Sequence, residues 1–308
     1  MTEKADIRRF GYYIPKPDGT MDISIHKTVA DAETLTELNE IVDVIFKLQP
    51  IIFAFDIVEK NYAELLKSFS ESVSKLNGME PVNISTSFAM DTLISVSQKV
   101  TNLLSSTSAF LTHTSRQLHK IYGEGSQEWK IWDGRRKDLH ADSFAYRFLY
   151  ELRNFNQHSD LPFSNLNFTG ERSTEDAPMD FKMGALIVRN GLLNDGYNWK
   201  KNLRVEIEQQ PAVFDLLPLI TEYLRCLRQL CLEAVKPQFE RLVLCAHYFN
   251  VVTATLQIPA GAIPVIFVGE SVAVGVPPSR FEVIPMEQFK YILLKLNLIR
   301  EASETSQI

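Results

Sequence analysis

Residues 142–158, DSFAYRFLYELRNFNQH, decide how the chain reads. At roughly 100° per residue, Ala145, Phe148, Leu152 and Phe155 fall on one narrow face, which is the core-facing stripe of a bundle helix. Tyr146, Tyr150, Asn154 and His158 follow one another at four-residue steps on the opposite side, so each neighbours the next along one ridge. Arg153 and His158 flank Asn154 from two sides, and neither points into the stripe. Pro162 is expected to close the segment.

Working outward, helical spacing predominates. "DAETLTELNEIVDVIFKL" and "AFDIVEKNYAELLKSFSESVSKLNG" predict two helices, the second ending in an Asn-Gly that suits a C-cap. "SFAMDTLISVSQKVTNLLSSTSAFLTHTSRQLHKIYG" predicts a third, whose apolar stripe includes Val96, Val100 and Leu118 and which Gly123 closes; its many Ser and Thr residues need packing to support them. "EGSQEWKIWDGRRKDLH" reads as a polar connector to a fourth helix starting near Asp142. Residues 164–180 read as a turn-rich loop, "FKMGALIVRNGLLNDGYNWKKNLRVEIEQQ" as a short helix followed by a strand, and "AVFDLLPLITEYLRCLRQLCLEAV" as a helix interrupted at Pro218 and stopped or kinked at Pro237. "FERLVLCAHYFNVV" extends the helical region. The first residues, "RRFGYYIPKPDGTMDISIHKTV", carry a Pro-Asp-Gly turn between β-formers, and the last sixty read as strands and a terminal helix. The expected fold is mainly α: an antiparallel helical bundle over 31–255, a β-flap over 1–30, and a β-plus-helix appendage over 256–308.

The composition narrows the function classes. With 32 Lys and Arg against 38 Asp and Glu, the formal charge is -6, so any contact with nucleic acid has to be local. The three cysteines, Cys226, Cys231 and Cys245, show no CxxC spacing and predict neither a disulfide framework nor a thiolate metal site. No signal-peptide core opens the chain and its apolar windows are too short to span a bilayer, so a cytoplasmic protein with no membrane partner is expected. No GxxxxGK, GxGxxG, HxH or HExxH pattern appears, and neither cofactor nor metal is expected.

Arginine stays charged and presents a fork matched to phosphate oxygens, while histidine titrates near neutrality and can move a proton. Together they can catalyse transesterification of RNA without a metal. "LRNFNQH" resembles the Arg-Asn-x-x-x-His signature of the HEPN superfamily, all-helical domains many of whose members are metal-independent endoribonucleases in toxin-antitoxin and antiphage systems. The resemblance covers about residues 85–160 with the later helices. It implies a HEPN-like bundle, cleavage by the ribose 2′-hydroxyl, and a cleft between two domains. One good motif per chain then implies a homodimer. Arg153 would neutralise the scissile phosphate, His158 would move the proton, and Asn154 would hold the imidazole or the backbone. A cognate antitoxin or defence-system partner is implied with it.

Two looser Arg/His pairs, Arg135 with His140 and Arg241 with His247, lack the asparagine and read as chance. "RNGLLN" at Arg189 has Asn194 where the histidine would stand. Tyr146 and Tyr150 are candidates for stacking on RNA bases, and Arg135, Arg136 and Lys137 for a phosphate-binding patch that Asp133 and Asp138 partly cancel. "NWKKNLR", residues 198–204, is a weaker patch of the same kind. The same residues also suit plainer roles: tyrosines packed on a neighbouring helix, and cations at a helix C-terminus. The alternative function is a non-catalytic helical protein that dimerises or binds a partner.

Overall fold

A computed structural model describes residues 7–77, 85–161, 163, 165–174, 179–269 and 280–305. The fold is mainly helical with two small antiparallel sheets. The chain divides into two compact units, one of residues 1–49 and 235–298, the other of 50–234 and 299–308.

In the first unit, the Pro-Asp-Gly signal forms the expected hairpin. β1 (Ile7–Pro15) and β2 (Met21–Val29) flank a turn in which Gly19 takes a positive φ of 83° and the Lys16 amide donates to the Thr20 carbonyl at 2.8 Å. β1 also pairs along its length with β6 (Ile263–Gly269), which pairs with β7 (Arg280–Val283), giving the order β2-β1-β6-β7. The β segments expected at opposite ends of the chain therefore share one sheet. Val265 and Phe267 are buried against Tyr13, Ile25 and Ile263. α8 (Phe239–Thr255) and α9 (Met286–Thr305) meet through Phe249 and Phe289, whose ring centroids lie 5.1 Å apart.

The two helices expected before residue 78 are one, α1 (Ala32–Leu76), with Pro50 in its interior. Pro50 lacks an amide hydrogen, but Ile45, Leu48, Ile51, Ile52 and Phe55 around it are all fully buried, and that packing carries the helix through. α2 (Thr86–Tyr122) matches the expected Ser/Thr-rich helix, capped by the Ser85 hydroxyl and by Gly123 at φ 93°. It runs antiparallel to α1: Glu64 pairs with Lys99 at 2.8 Å, and Phe55 packs on Phe110 at 5.1 Å. α7 (Leu216–Val235) is also antiparallel to α1, with Arg228 donating Nε and Nη2 to both Glu59 oxygens and the Tyr62 and Thr221 hydroxyls 3.3 Å apart. Pro218 does not interrupt α7, because it falls in the first turn, where no amide donor is needed; the helix ends before Pro237, as expected.

Three local expectations fail. The polar connector is a helix, α3 (Gln127–Asp142), capped by the Ser126 hydroxyl. Its packing rests on few side chains, chiefly Leu139 and Trp132, whose indole Nε1 donates to the Leu230 carbonyl at 3.1 Å. The loop expected over 164–180 contains β3 (Asn165–Glu171), which pairs with β4 (Asp180–Val188). The segment after it runs strand then helix, not helix then strand: β4 leads into α5 (Arg189–Asn194) and α6 (Lys201–Glu208) before β5 (Val213–Asp215) completes the order β3-β4-β5. Alternating burial along β4, with Phe181, Ala185 and Ile187 inward, is a two-residue period that its glycine and short helical neighbours mask. Among the described residues no helix is long and apolar enough to cross a membrane.

Candidate functional site

α4 (Phe144–His158) follows α3 after a single residue, Ser143, whose hydroxyl accepts from the Tyr146 amide at 3.2 Å. Arg147 fixes the corner. Its Nη1 donates to the carbonyls of His140 and Ala141, the orphan acceptors at the end of α3, while Nε and Nη2 hold the Glu206 carboxylate at 3.0 and 2.8 Å. The stripe of Ala145, Phe148, Leu152 and Phe155 is buried, and Trp199 stacks against both phenylalanines, at 6.1 and 5.4 Å. α4 runs antiparallel to α2, with the Asn156 amide donating to Thr101 at 3.0 Å.

The motif residues occupy the last two turns. Arg153 and Asn154 are half-buried and His158 is exposed. Arg153 Nη1 donates to the Asn154 side-chain oxygen at 3.1 Å, and its Nε is buried with no hydrogen-bond partner among the described residues. No carboxylate pairs with this guanidinium there, whereas Arg136, Arg147, Arg225 and Arg228 each hold one. The helix ends at His158, and Ser159 returns its amide to the Phe155 carbonyl at 2.8 Å. The expected stop at Pro162 lies outside the described residues.

The ridge of tyrosines is corrected in one respect. Tyr146 is not on an open face: its ring is fully buried edge-on against Tyr223, 5.0 Å away, and burial pushes its hydroxyl pKa well up. A base cannot stack on it. Tyr150 is half-buried, with Lys200 Nζ 5.9 Å from its ring centroid. Glu151, on the same helix, is buried, and burial alone would raise its pKa; the Tyr197 hydroxyl at 2.7 Å and Lys200 at 3.0 Å reverse that and hold it below the usual carboxylate range.

Of the expected phosphate-binding patch, Arg136 and Lys137 line a hollow of about 300 Å³ with His140, Tyr146, Tyr150 and Lys200. Arg135 points elsewhere, donating to Gln229 at 2.7 Å. Asp133, buried at 6% exposure, engages both Arg136 and Lys137, at 2.7 and 2.8 Å, and these contacts outweigh its burial and lower its pKa. His140 is driven toward its neutral form, first by burial and then by Arg147, Lys200 and Arg136. A second hollow, of about 330 Å³, shares the Arg136 and Tyr150 walls and adds Arg116, Ser115 and Trp129. His119 stacks on Trp129 at 4.7 Å, and His113 lines a separate groove between α1 and α2.

In the sequence His140 stands out only as a chance match and Lys200 only as part of a weak basic patch. Lys200 comes from the weaker "NWKKNLR" patch, and only the burial of Trp199 against α4 brings it there. Arg189 is structural, donating to the carbonyls of Glu208 and Gln210 at 3.1 and 2.7 Å. The three cysteines are free and buried, and burial pushes the Cys226 and Cys245 thiols up to about 11. Among the described residues no group of three or more His, Cys, Asp or Glu is placed to hold a metal. No protein-family model, curated protein or solved structure matches the chain.

Proposed function

We propose that this protein is a metal-independent endoribonuclease of the HEPN type, cleaving RNA by attack of a ribose 2′-hydroxyl in a toxin or antiphage defence role. The observation that carries the reading is the state of Arg153. A half-buried guanidinium whose Nε is buried without a partner, and which no carboxylate among the described residues meets, is a group that a phosphate would complete. Arg153 would neutralise the scissile phosphate, Asn154 would orient that guanidinium through the bond they share, and His158 would carry the proton. His158 is exposed at the helix end, so its opposite wall would come from a second copy of the chain, giving a homodimeric cleft.

The test is cleavage of total RNA and tRNA by purified protein, and growth after induction in a bacterial host. Wild type should arrest growth and leave discrete fragments. Arg153→Ala and His158→Ala should each lower cleavage by roughly 10²-fold or more. Unchanged cleavage in both variants sinks the reading.

A second reading, a non-catalytic dimerisation or partner-binding protein, is favoured by a specific surface. Pro50, Ala54 and Ile57 of α1 and Ala109 of α2 line a groove of about 400 Å³, and Phe53 and Ile57 on α1 are 43% and 55% exposed. This reading expects a dimer weakened by Ile57→Asp and intact RNA under every condition.

A further inference from the structure

We propose that the cleft formed by α2, α3, α4 and Lys200 binds a single nucleotide unit, with the phosphate in the hollow of Arg136, Lys137, His140 and Lys200 and the base in the adjoining hollow beside Trp129. Neither Arg153 nor His158 lines either hollow, so the inference does not depend on the ribonuclease reading.

Charge, shape and ring placement carry it. In the first hollow, Arg136, Lys137 and Lys200 face a shared space, and the carboxylates beside them, Asp133 and Glu151, are buried and already engaged by those cations and by Tyr197. Arg136 spends Nε and Nη2 on Asp133, and its Nη1 makes no hydrogen bond among the described residues. An anion entering there meets donors without displacing a lone carboxylate. Burial first, and then Arg147, Lys200 and Arg136, hold the His140 pKa below its ordinary value against Glu206, so cations face this hollow from three positions.

The second hollow explains why a nucleotide fits better than bare phosphate. It shares Tyr150 and Arg136 with the first and is lined by Asp133, already paired, and by Trp129, whose Nε1 is tied to Ser115 at 3.0 Å and whose ring is stacked on by His119. A planar base finds an aromatic side chain, a guanidinium from the exposed Arg116, and the side chains of Thr112 and Ser115 among the walls.

Calorimetry and tryptophan fluorescence on the full chain test this, with three probes: AMP, inorganic phosphate, and a 2′-O-methyl RNA hexamer that cannot be cut. AMP or the hexamer should bind saturably below millimolar concentration, quench tryptophan fluorescence and raise the His140 pKa followed by NMR. AMP binding as well as the hexamer identifies a free nucleotide as the ligand, and a much tighter hexamer identifies a unit of an RNA strand. The double variant Arg116→Gln/Lys137→Gln removes two exposed cations while leaving Asp133 its Arg136 partner, and it should weaken binding at least about tenfold. Removing the same charge elsewhere, in Lys67→Gln/Lys75→Gln, should change nothing. No binding of AMP or hexamer, equal affinity in the cleft variant, or phosphate binding as tightly as AMP would each overturn the proposal.

Discussion

His140 has a folded-state pKa below its ordinary value, through burial and the cations Arg147, Lys200 and Arg136. The unfolded chain therefore takes up a proton at this residue before the folded chain does. Stability is fully present above about pH 6.5 and falls as pH drops from there toward the folded pKa. His140→Gln should flatten the melting temperature over that window; a wild-type profile no steeper than the variant's would refute this. Arg153 poses the opposite case, a charge that no carboxylate among the described residues meets. Arg153→Leu should leave the melting temperature equal or higher while removing RNA cleavage, because the variant no longer buries an Nε without a hydrogen-bond partner. A loss of stability comparable to the loss of activity would mean that Arg153 holds the fold instead. Gly11 is governed by space: an added Cβ would run into the Ser24 carbonyl and come within 2.6 Å of the Phe267 ring, so Gly11→Ala should cost roughly 1–3 kcal/mol in chemical denaturation.

α3 shows most clearly what the sequence withheld. Its residues are polar and lack an apolar period, so nothing marks a helix except the Ser126 cap. Contacts from other elements hold it, among them the Trp132 indole on the Leu230 carbonyl and Arg135 on Gln229, while Arg147, just past its end, clamps its final carbonyls and grips Glu206. Leu230, Gln229 and Glu206 are all far from α3 in sequence. α4, by contrast, was legible, because its three-four-three stripe is a local signal, and all four stripe residues are buried. The same distinction divides the site. Arg153, Asn154 and His158 share one short segment of one helix, whereas Lys200 reaches Tyr150 and Glu151 only through the packing of Trp199 between Phe148 and Phe155. Arg147→Ala should therefore cost about 1–3 kcal/mol and loosen the end of α3. Hydrogen exchange over residues 138–142 should rise well above that over α4, and equal protection in variant and wild type would show that α3 stands without the clamp.

At the scale of the whole molecule, the chain's two ends build one sheet. β1 donates and accepts along both edges, to β2 and to β6, while β6 and β7 alone would make a two-stranded ribbon, which is marginal in water. Tyr13 and Ile25, from the first hairpin, cover Val265 and Phe267. Deleting residues 1–30 should thus uncover a long apolar edge at Ile263–Gly269, which is a template for pairing with other chains. Amide exchange over 263–269 should become fast and the protein should aggregate on concentration, while α2 and α4, which belong to the other compact unit, keep their protection. Adding a peptide of residues 1–31 should restore protection to 263–269, since both strands re-form through backbone pairing already specified by their register. Unchanged exchange over 263–269 in the deletion would show that β6 is held by α8 and α9 instead, and that the terminal hairpin is an addition to a sheet already stable without it.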